Sequence, residues 1–240
     1  MIYLLIPTYN EELNIPNLHS ELRSASFDSE VMLVFSDDGS TDTTKALISS
    51  LFQGLPFVIL GDGTNHGPGY AFNTGFEWIL THSKNDQDLV VTLEADGTSE
   101  IGLLQKMIPI SRLGFSLVLA SVYAQGGGFD KTSFLRRSLS SIANILFRFL
   151  FNIKILTLSS FFRVYHISLL RQIKHKSGTL IKESGFICML EILAKAIECE
   201  ATLIEVPMVL QTAKRQGKSK MKLVYTMSQY FTFLLKRKFK

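Results

Sequence analysis

Val31-Met32-Leu33-Val34-Phe35-Ser36-Asp37-Asp38-Gly39-Ser40-Thr41-Asp42 is the stretch that decides the fold. A short apolar run of strand length stops on two acids, and turn residues then open a helix. In an open α/β sheet, ligands sit outside the carboxyl ends of the strands, so carboxylates placed there face a cleft. A second run, Asp88-Leu89-Val90-Val91-Thr92-Leu93, ends the same way in Glu94-Ala95-Asp96. While the chain is still extended, residues 94 and 96 point to one side. Their carboxylates can therefore converge on one hard cation, magnesium or manganese, that also holds phosphate oxygens.

Outward from these two runs, the first half of the chain alternates. Strands are expected at 2–6, 31–36, 57–60, 88–93 and 115–121, and helices at about 11–25, 42–52, 69–82 and 101–112. Such alternation implies parallel strands with crossover helices on both faces. In the second half the pattern predicts a long helix from Phe134 to Phe151, an extended piece near Ser159 to Tyr165, a helix around Ser184 to Glu198 and a strand from Ala201 to Val206. These are expected to form a second layer that closes the cleft.

The 240 residues suffice for one large domain with a two-faced core. Hydrophobic residues at 46% and charged residues at 19% exclude a disordered chain and favour an apolar surface. The most apolar stretch, Leu139 to Phe162, is interrupted by Arg148 and Lys154, so no spanning helix is expected. The chain enters at once on strand-like Ile2-Tyr3-Leu4-Leu5-Ile6, from which no signal peptide and a cytoplasm-facing site are expected. Cys188 and Cys199 provide neither a disulfide framework nor zinc-ligand spacing.

Charge is segregated along the chain. Nine cations and no acid follow Glu205; with +4 overall, the first 205 residues carry −5. The basic tail adjoins the apolar, aromatic segment Leu223 to Leu235, which suits an anionic membrane surface better than nucleic acid, and no nucleic-acid partner is expected. The segment 223–240 is accordingly read as a basic amphipathic interfacial helix, with docking on the protein's own core as the alternative.

Familiar phosphate motifs fail. The first strand runs into Pro7-Thr8-Tyr9-Asn10-Glu11-Glu12 rather than a glycine-rich turn, and Gly61-Asp62-Gly63-Thr64-Asn65-His66 lacks the third glycine of a dinucleotide fingerprint. Gly217-Lys218-Ser219 has Thr212 where a P-loop needs its first glycine. Metalloprotease and serine-hydrolase signatures are missing.

Four motifs stand in a recognisable order and spacing: Ile6-Pro7-Thr8-Tyr9-Asn10-Glu11-Glu12, Asp37 to Asp42, Asn65-His66-Gly67-Pro68-Gly69-Tyr70-Ala71, and Glu94-Ala95-Asp96. Gly126-Gly127-Gly128, Arg136-Arg137, Phe161-Phe162-Arg163-Val164-Tyr165, Glu191 and Arg215 to Lys220 follow. Together they resemble glycosyltransferase family two, with its GT-A type nucleotide-binding sheet, and within it the dolichyl- or polyprenyl-phosphate mannosyl- and glucosyltransferase branch. The resemblance implies a catalytic domain over 1–222, with a nucleotide-sugar half (1–121) and an acceptor half (122–222). It implies transfer, with inversion, of a hexose from GDP-mannose or a UDP-hexose to a lipid phosphate at a membrane surface, assisted by Mg2+ or Mn2+.

The same resemblance distributes roles. Asp38 would accept the ring N–H of the base, for which an ionised acceptor at a strand end is apt, although a turn acid remains the alternative there and at Asp37. Pro7, Tyr9 and Glu11 complete the nucleotide-sugar set, and Asp42 is expected to cap the following helix. Asp96, helped by Glu94, would hold the metal; Arg215 and Lys220, with Lys218 behind them, would close over the pyrophosphate. Arg136, Ser140 and Asn144 recur at helical spacing, and Arg136 and Ser140 inherit the acceptor phosphate, with Arg137 as the alternative. Glu191 either orients the acceptor site or pairs with Lys195, and His66 reads as a turn residue. A transferase acting on a saccharide hydroxyl and a catalytically silent nucleotide-sugar-binding protein are the competing readings.

The chain departs from the branch in three places, of which those at Val122 and Leu158 bear on the acceptor. Ala120-Ser121-Val122-Tyr123 stands where the branch has Gly-Ser-Arg-Tyr, Thr157-Leu158-Ser159-Ser160-Phe161 replaces an acid-containing pattern, and Gly97-Thr98-Ser99 follows the metal motif in place of Leu-Gln.

Overall fold

The computed structural model describes all residues except 133–140, 143, 146, 147, 149–153, 218, 219, 221–225, 227, 228, 230, 231 and 234–240. Strands β1 (Ile2–Thr8), β2 (Val31–Asp37), β3 (Phe57–Leu60), β4 (Leu89–Thr92), β5 (Leu117–Ser121), β7 (Arg163–His166) and β8 (Leu203–Pro207) form one sheet in the order β3-β2-β1-β4-β7-β5-β8. Helices α1 (Ile15–Ser24), α2 (Thr44–Leu51), α3 (Pro68–His82) and α4 (Leu104–Arg112) lie between strands of the first half, as the alternation predicts.

The pleat explains the uniformly apolar strands. Tyr3, Leu5, Val34 and Val90 enter one cluster, while Ile2, Leu4, Ile6, Leu33, Phe35, Leu89 and Val91 enter the other. Alternate side chains thus serve two cores, and neither face of a strand is left to water. One core lies under α3, α5 (Ile167–Ser177) and α6 (Cys188–Glu198), the other under α1, α2 and α4.

The sheet is mostly parallel, as expected of a GT-A type sheet, and the antiparallel exception among the described strands comes from the second half. The extended piece is β7, and it runs antiparallel between β4 and β5, pairing Val91 with Val164 and Val118 with Val164. Helix α5 was not foreseen; its buried residues Ile167, Leu169, Leu170 and Ile173 follow a helical spacing, and Gly178 at φ 74° ends it. A small parallel pair, β6 (Gly128–Phe129) with β9 (Val209–Leu210), also escaped the sequence pattern because each strand is only two residues long. Helices α1 and α6 begin four residues later than expected, which leaves Glu11 to Asn14 and Ser184 to Ile187 as loop. Of the expected helix 134–151, the described positions 141, 142, 144, 145 and 148 are helical.

In the segment 223–240, Thr226 and Phe233 are buried, Gln229 is half-buried and Thr232 is exposed. Phe233 joins the core under α3, α5 and α6, and the side-chain amide of Gln229 lies against Gly185. At Thr226, Gln229 and Phe233 the segment faces its own protein. Among the described residues, no helix is long and apolar enough to cross a membrane, and Cys188 and Cys199 are free thiols.

Two anchors place the loops at the carboxyl edge. The Ser184 carbonyl accepts the Gly69 amide at 2.7 Å, and a Cβ on Gly69 would come within 1.9 Å of the Glu183 carbonyl oxygen. That loop is gripped in turn by Glu191, which accepts the amides of Lys182 and Glu183, each at 2.9 Å. Lys195 ion-pairs with Glu191 at 2.7 Å and donates to the Thr179 and Leu180 carbonyls, each at 3.0 Å. At the other anchor, Asp130 accepts the Thr212 amide at 2.8 Å, its hydroxyl at 2.6 Å and the Ala213 amide at 3.0 Å. Desolvation opposes ionisation there, but these bonds outweigh it and hold the carboxyl down to about 2.

Gly69→Ala should lower stability by about 1–3 kcal/mol in chemical denaturation, because the methyl meets rigid backbone rather than a movable side chain. Asp130→Asn should speed amide exchange at Thr212 and Ala213 several-fold near neutral pH. Because the folded carboxyl titrates below its unfolded value of 3.8, its contribution is present above about pH 4 and is lost as pH falls toward 2. The difference between wild type and variant should shrink through that window.

Candidate active-site cleft

The strand ends and loops enclose a cavity of about 800 Å3 at the carboxyl edge of β1, β2 and β4. Pro7, Tyr9, Glu11, Asp38, Glu94, Asp96, Arg215 and Lys220, eight of the residues singled out in the sequence, line it together. Asp37 does not. Its carboxylate turns under the loop, accepting the Ser40 amide at 2.9 Å, the Ser40 hydroxyl at 2.5 Å and the Thr8 hydroxyl at 3.2 Å. Asp42 accepts the Thr44 amide at 3.0 Å in the first turn of α2.

Asp38 is placed by the start of α3. It accepts the amides of His66 at 2.8 Å and Gly67 at 2.9 Å, groups that a helix start leaves free of intrahelical partners. Burial raises its pKa and the backbone bonds oppose the rise. The His66 ring points elsewhere, to Asp62 at 2.9 Å and against the Tyr70 ring at 4.4 Å. It is a loop residue, as expected.

Glu94 and Asp96 form the floor with Glu11. Burial, followed by the charge of Asp96, pushes the Glu94 carboxyl up to about 8, with Arg215 acting in the opposite direction. Thr98 donates its amide to Asp96 at 3.0 Å and its hydroxyl at 2.7 Å, so the departure after Glu94-Ala95-Asp96 fixes the Asp96 carboxylate. The basic loop lies over this floor. Arg215 donates from Nε to Asp96 at 2.6 Å and pairs with the same oxygen through Nη2. Lys220 pairs with Glu11 and donates to the Asn10 carbonyl at 2.8 Å. Asn14 fixes the loop between them, accepting the Gln216 amide at 2.8 Å and donating to its carbonyl at 3.1 Å. Burial raises the Glu11 pKa, and Lys220 works against that.

Among the described residues, no three His, Cys, Asp or Glu side chains gather closely enough to hold a metal by themselves. The donor set nevertheless suits a hard cation. It consists of carboxylate oxygens, those of Glu94 and Asp96 at the end of β4 and that of Glu11 beside them, and hard oxygen donors of this kind suit magnesium or manganese. Two protein carboxylates plus phosphate oxygens and water is the usual division for magnesium.

The other end of the cavity is apolar and hydroxylic. Phe161 stacks on Phe72 at 5.5 Å and meets Phe186 edge-on at 5.8 Å. The wall is pinned where Glu205 accepts the Leu156 and Thr157 amides at 2.8 and 2.9 Å, and where the Ser121 and Thr157 hydroxyls meet at 2.6 Å. Val122 and Asn144 line the same cavity. Arg136, Arg137, Ser140 and Lys218 lie outside the described residues. Sequence reading missed Asn14, Phe72, Phe186 and Thr226 as lining residues. Asn14, Phe72 and Phe186 lie inside stretches expected as helix, where helical periodicity alone does not mark a residue that faces a cavity.

Residues 3–174 match the family described as Glycosyl transferase family 2. The polyprenol monophosphomannose synthase of Mycolicibacterium smegmatis is 28% identical over 220 residues, 91% of this chain and 80% of that protein. The undecaprenyl-phosphate mannosyltransferase of Micrococcus luteus is 26% identical over 92% of this chain and 87% of its own. Among solved structures, glucosyl-3-phosphoglycerate synthase from Mycobacterium tuberculosis, bound to Mn2+, UDP-glucose and glycerol 3-phosphate, superposes with a TM-score of 0.71. It covers 99% of this chain and 79% of its own at 17% identity, a likeness of fold. With the strand-end carboxylates, the docked basic loop and the match over 172 residues agreeing, the chain belongs to glycosyltransferase family 2 and is a glycosyltransferase with a GT-A type sheet.

Proposed function

We propose that this chain transfers a hexose from a nucleotide-diphosphate sugar to a polyprenyl phosphate, with Mg2+ or Mn2+ held by Asp96 and Glu94. The two sequence relatives, named for mannosyl transfer to polyprenol and undecaprenyl phosphates, make mannose the first sugar to test. The observation that carries the reading is the division of one cavity into an acidic floor under a basic loop and an aromatic wall of Phe72, Phe161 and Phe186. The first end suits a diphosphate; the second offers apolar surface to an isoprenyl chain.

Pro7, Tyr9 and Asp38 would receive the base, with Asp38 keeping lone pairs for a ring N–H beside its two backbone bonds. Arg215 and Lys220, paired with Asp96 and Glu11, would supply donors to the diphosphate oxygens. A bound divalent cation would stabilise the negative charge on the departing diphosphate. A phosphate acceptor is already ionised and needs no general base, so positioning dominates. A saccharide hydroxyl would need one, and Glu11, Asp38 and Asp96 are already committed to cations or amides. Arg136 and Ser140 would grip the acceptor phosphate. The basic tail Lys236-Arg237-Lys238 would keep the cleft at an anionic membrane surface.

Asp96→Asn should weaken metal-dependent donor binding by roughly a hundredfold or more in calorimetry with Mn2+, while thermal stability is kept. Undiminished binding would remove Asp96 from the metal site. Replacing Lys236, Arg237, Lys238 and Lys240 by Gln should release the protein from phosphatidylserine vesicles, since each cation contributes about 1 kcal/mol near such a surface. Nucleotide binding should persist; unchanged sedimentation with vesicles would refute the membrane role of the tail.

A further inference from the structure

Arg163 is wholly buried, sits in the middle of the sheet on β7, and does not line the cavity. Its Nη1 donates to the Tyr165 hydroxyl at 3.1 Å and to the Met189 carbonyl at 2.9 Å, and its Nη2 donates to the Leu158 carbonyl at 2.8 Å. Among the described residues, no carboxylate lies within ion-pair distance of it, whereas Arg215 and Lys220 each have one. Burying a guanidinium without a counter-charge is costly, and an apolar side chain of similar volume fills a core more cheaply. The connections show what this arginine adds.

Leu158, a residue of the cavity wall, is held from both sides. Arg163 takes its carbonyl, and Asn144 Oδ1 accepts its amide at 3.1 Å. Asn144 lines the cavity too, and in sequence it stands four residues after Ser140 and eight after Arg136, the spacing read from the sequence as one polar stripe. Through Met189 the same guanidinium reaches the first turn of α6. One side chain therefore sets the register of the wall at 158, the helix of Asn144 and α6 around the aromatic end of the cavity.

We propose that Arg163 is a positioning residue for the anionic head of the acceptor. It fixes Leu158 and through it Asn144, and its uncompensated charge behind the wall biases the far half of the cavity toward an anion. Solvent ions screen a charge in that place far less than one on the surface. Val122, in the position where the related pattern carries arginine, leaves the wall itself without a cation at that point. The inference rests on the lipid-phosphate reading of the acceptor.

The test uses the full chain as wild type, Arg163→Lys, Arg163→Met, Asn144→Ala and the Arg163→Lys/Asn144→Ala double variant. Acceptor KM, donor KM and kcat are measured with a short-chain polyprenyl phosphate, alongside thermal stability and nucleotide-diphosphate binding with Mn2+. Arg163→Met should raise the acceptor KM roughly tenfold or more while donor binding stays within about twofold, and Arg163→Lys should recover part of the loss. Asn144→Ala should raise the same KM, and the double variant should fall short of additivity because both residues act through Leu158. If Arg163→Met does not fold, the lysine variant and the double variant carry the decision. Loss of stability with an unmoved acceptor KM, additive effects, or equal losses for donor and acceptor would overturn the inference alone. Absence of transfer by the wild type to any polyprenyl phosphate would overturn the acceptor reading and this inference with it.

Discussion

Glu11, Glu94 and Asp96 share one enclosed floor, and in a medium of low dielectric they cannot all ionise without cations close by. The organisation of the carboxyl edge follows from that constraint. Arg215 and Lys220 bring positive charge to it, Asn14 clamps the backbone between them, and Asp130 holds the start of the same loop. Lys214 adds a pair with Glu21 at 2.6 Å. The uneven charge along the chain thus has a folded meaning: cations that follow Glu205 neutralise acids of the first hundred residues. Under the proposed function, a donor diphosphate arriving with a divalent cation would bring both signs of charge to the same place and would let the loop cations exchange carboxylates for phosphates with little change in net charge.

Beyond β4 the sheet changes character. Inserting β7 antiparallel between β4 and β5 makes the chain cross the carboxyl edge just before it enters the strand, and residues 157–162 become a wall of the cavity. A parallel strand in that place would start at the opposite edge. The wall has few partners of its own, so side chains from elsewhere hold it: Glu205 from β8, Ser121 from β5, Asn144 and the buried Arg163. Rigid support behind an apolar surface keeps this end of the cavity from collapsing into the core that surrounds it.

The first half was legible because local signals and the fold agree. Apolar runs of strand length, helices between them and acids at the strand ends each carry meaning within a window of a dozen residues, and β2, β3 and α3 fell within a residue or two of their expected bounds. The glycines of Gly67-Pro68-Gly69 were recognisable as a motif, yet their reason lay 115 residues away in sequence, in the Glu183 and Ser184 carbonyls they abut. Helix α5 had the right periodicity and was overlooked beside a tract of basic residues, and the two-residue strands β6 and β9 are too short to produce a period.

From the sequence alone came the class of the sheet, the strand-end acids, the basic loop and their kinship, because these depend on neighbours in the chain. The tertiary structure decided which members of that set meet. It turned Asp37 under its loop and Asp38 into the cleft, although the two are adjacent in sequence, because the strand ends at Asp37, where Ser40 holds one carboxylate, while the His66 and Gly67 amides hold the other. It laid Thr226 and Phe233 against the protein's own cavity and core, where helical periodicity allowed either protein or membrane. And it gave Arg163, one letter within a recognisable motif, its three carbonyl and hydroxyl partners. Those contacts join residues 158, 165 and 189, and no periodicity records them, because what brings them together is the packing of β7 against α6.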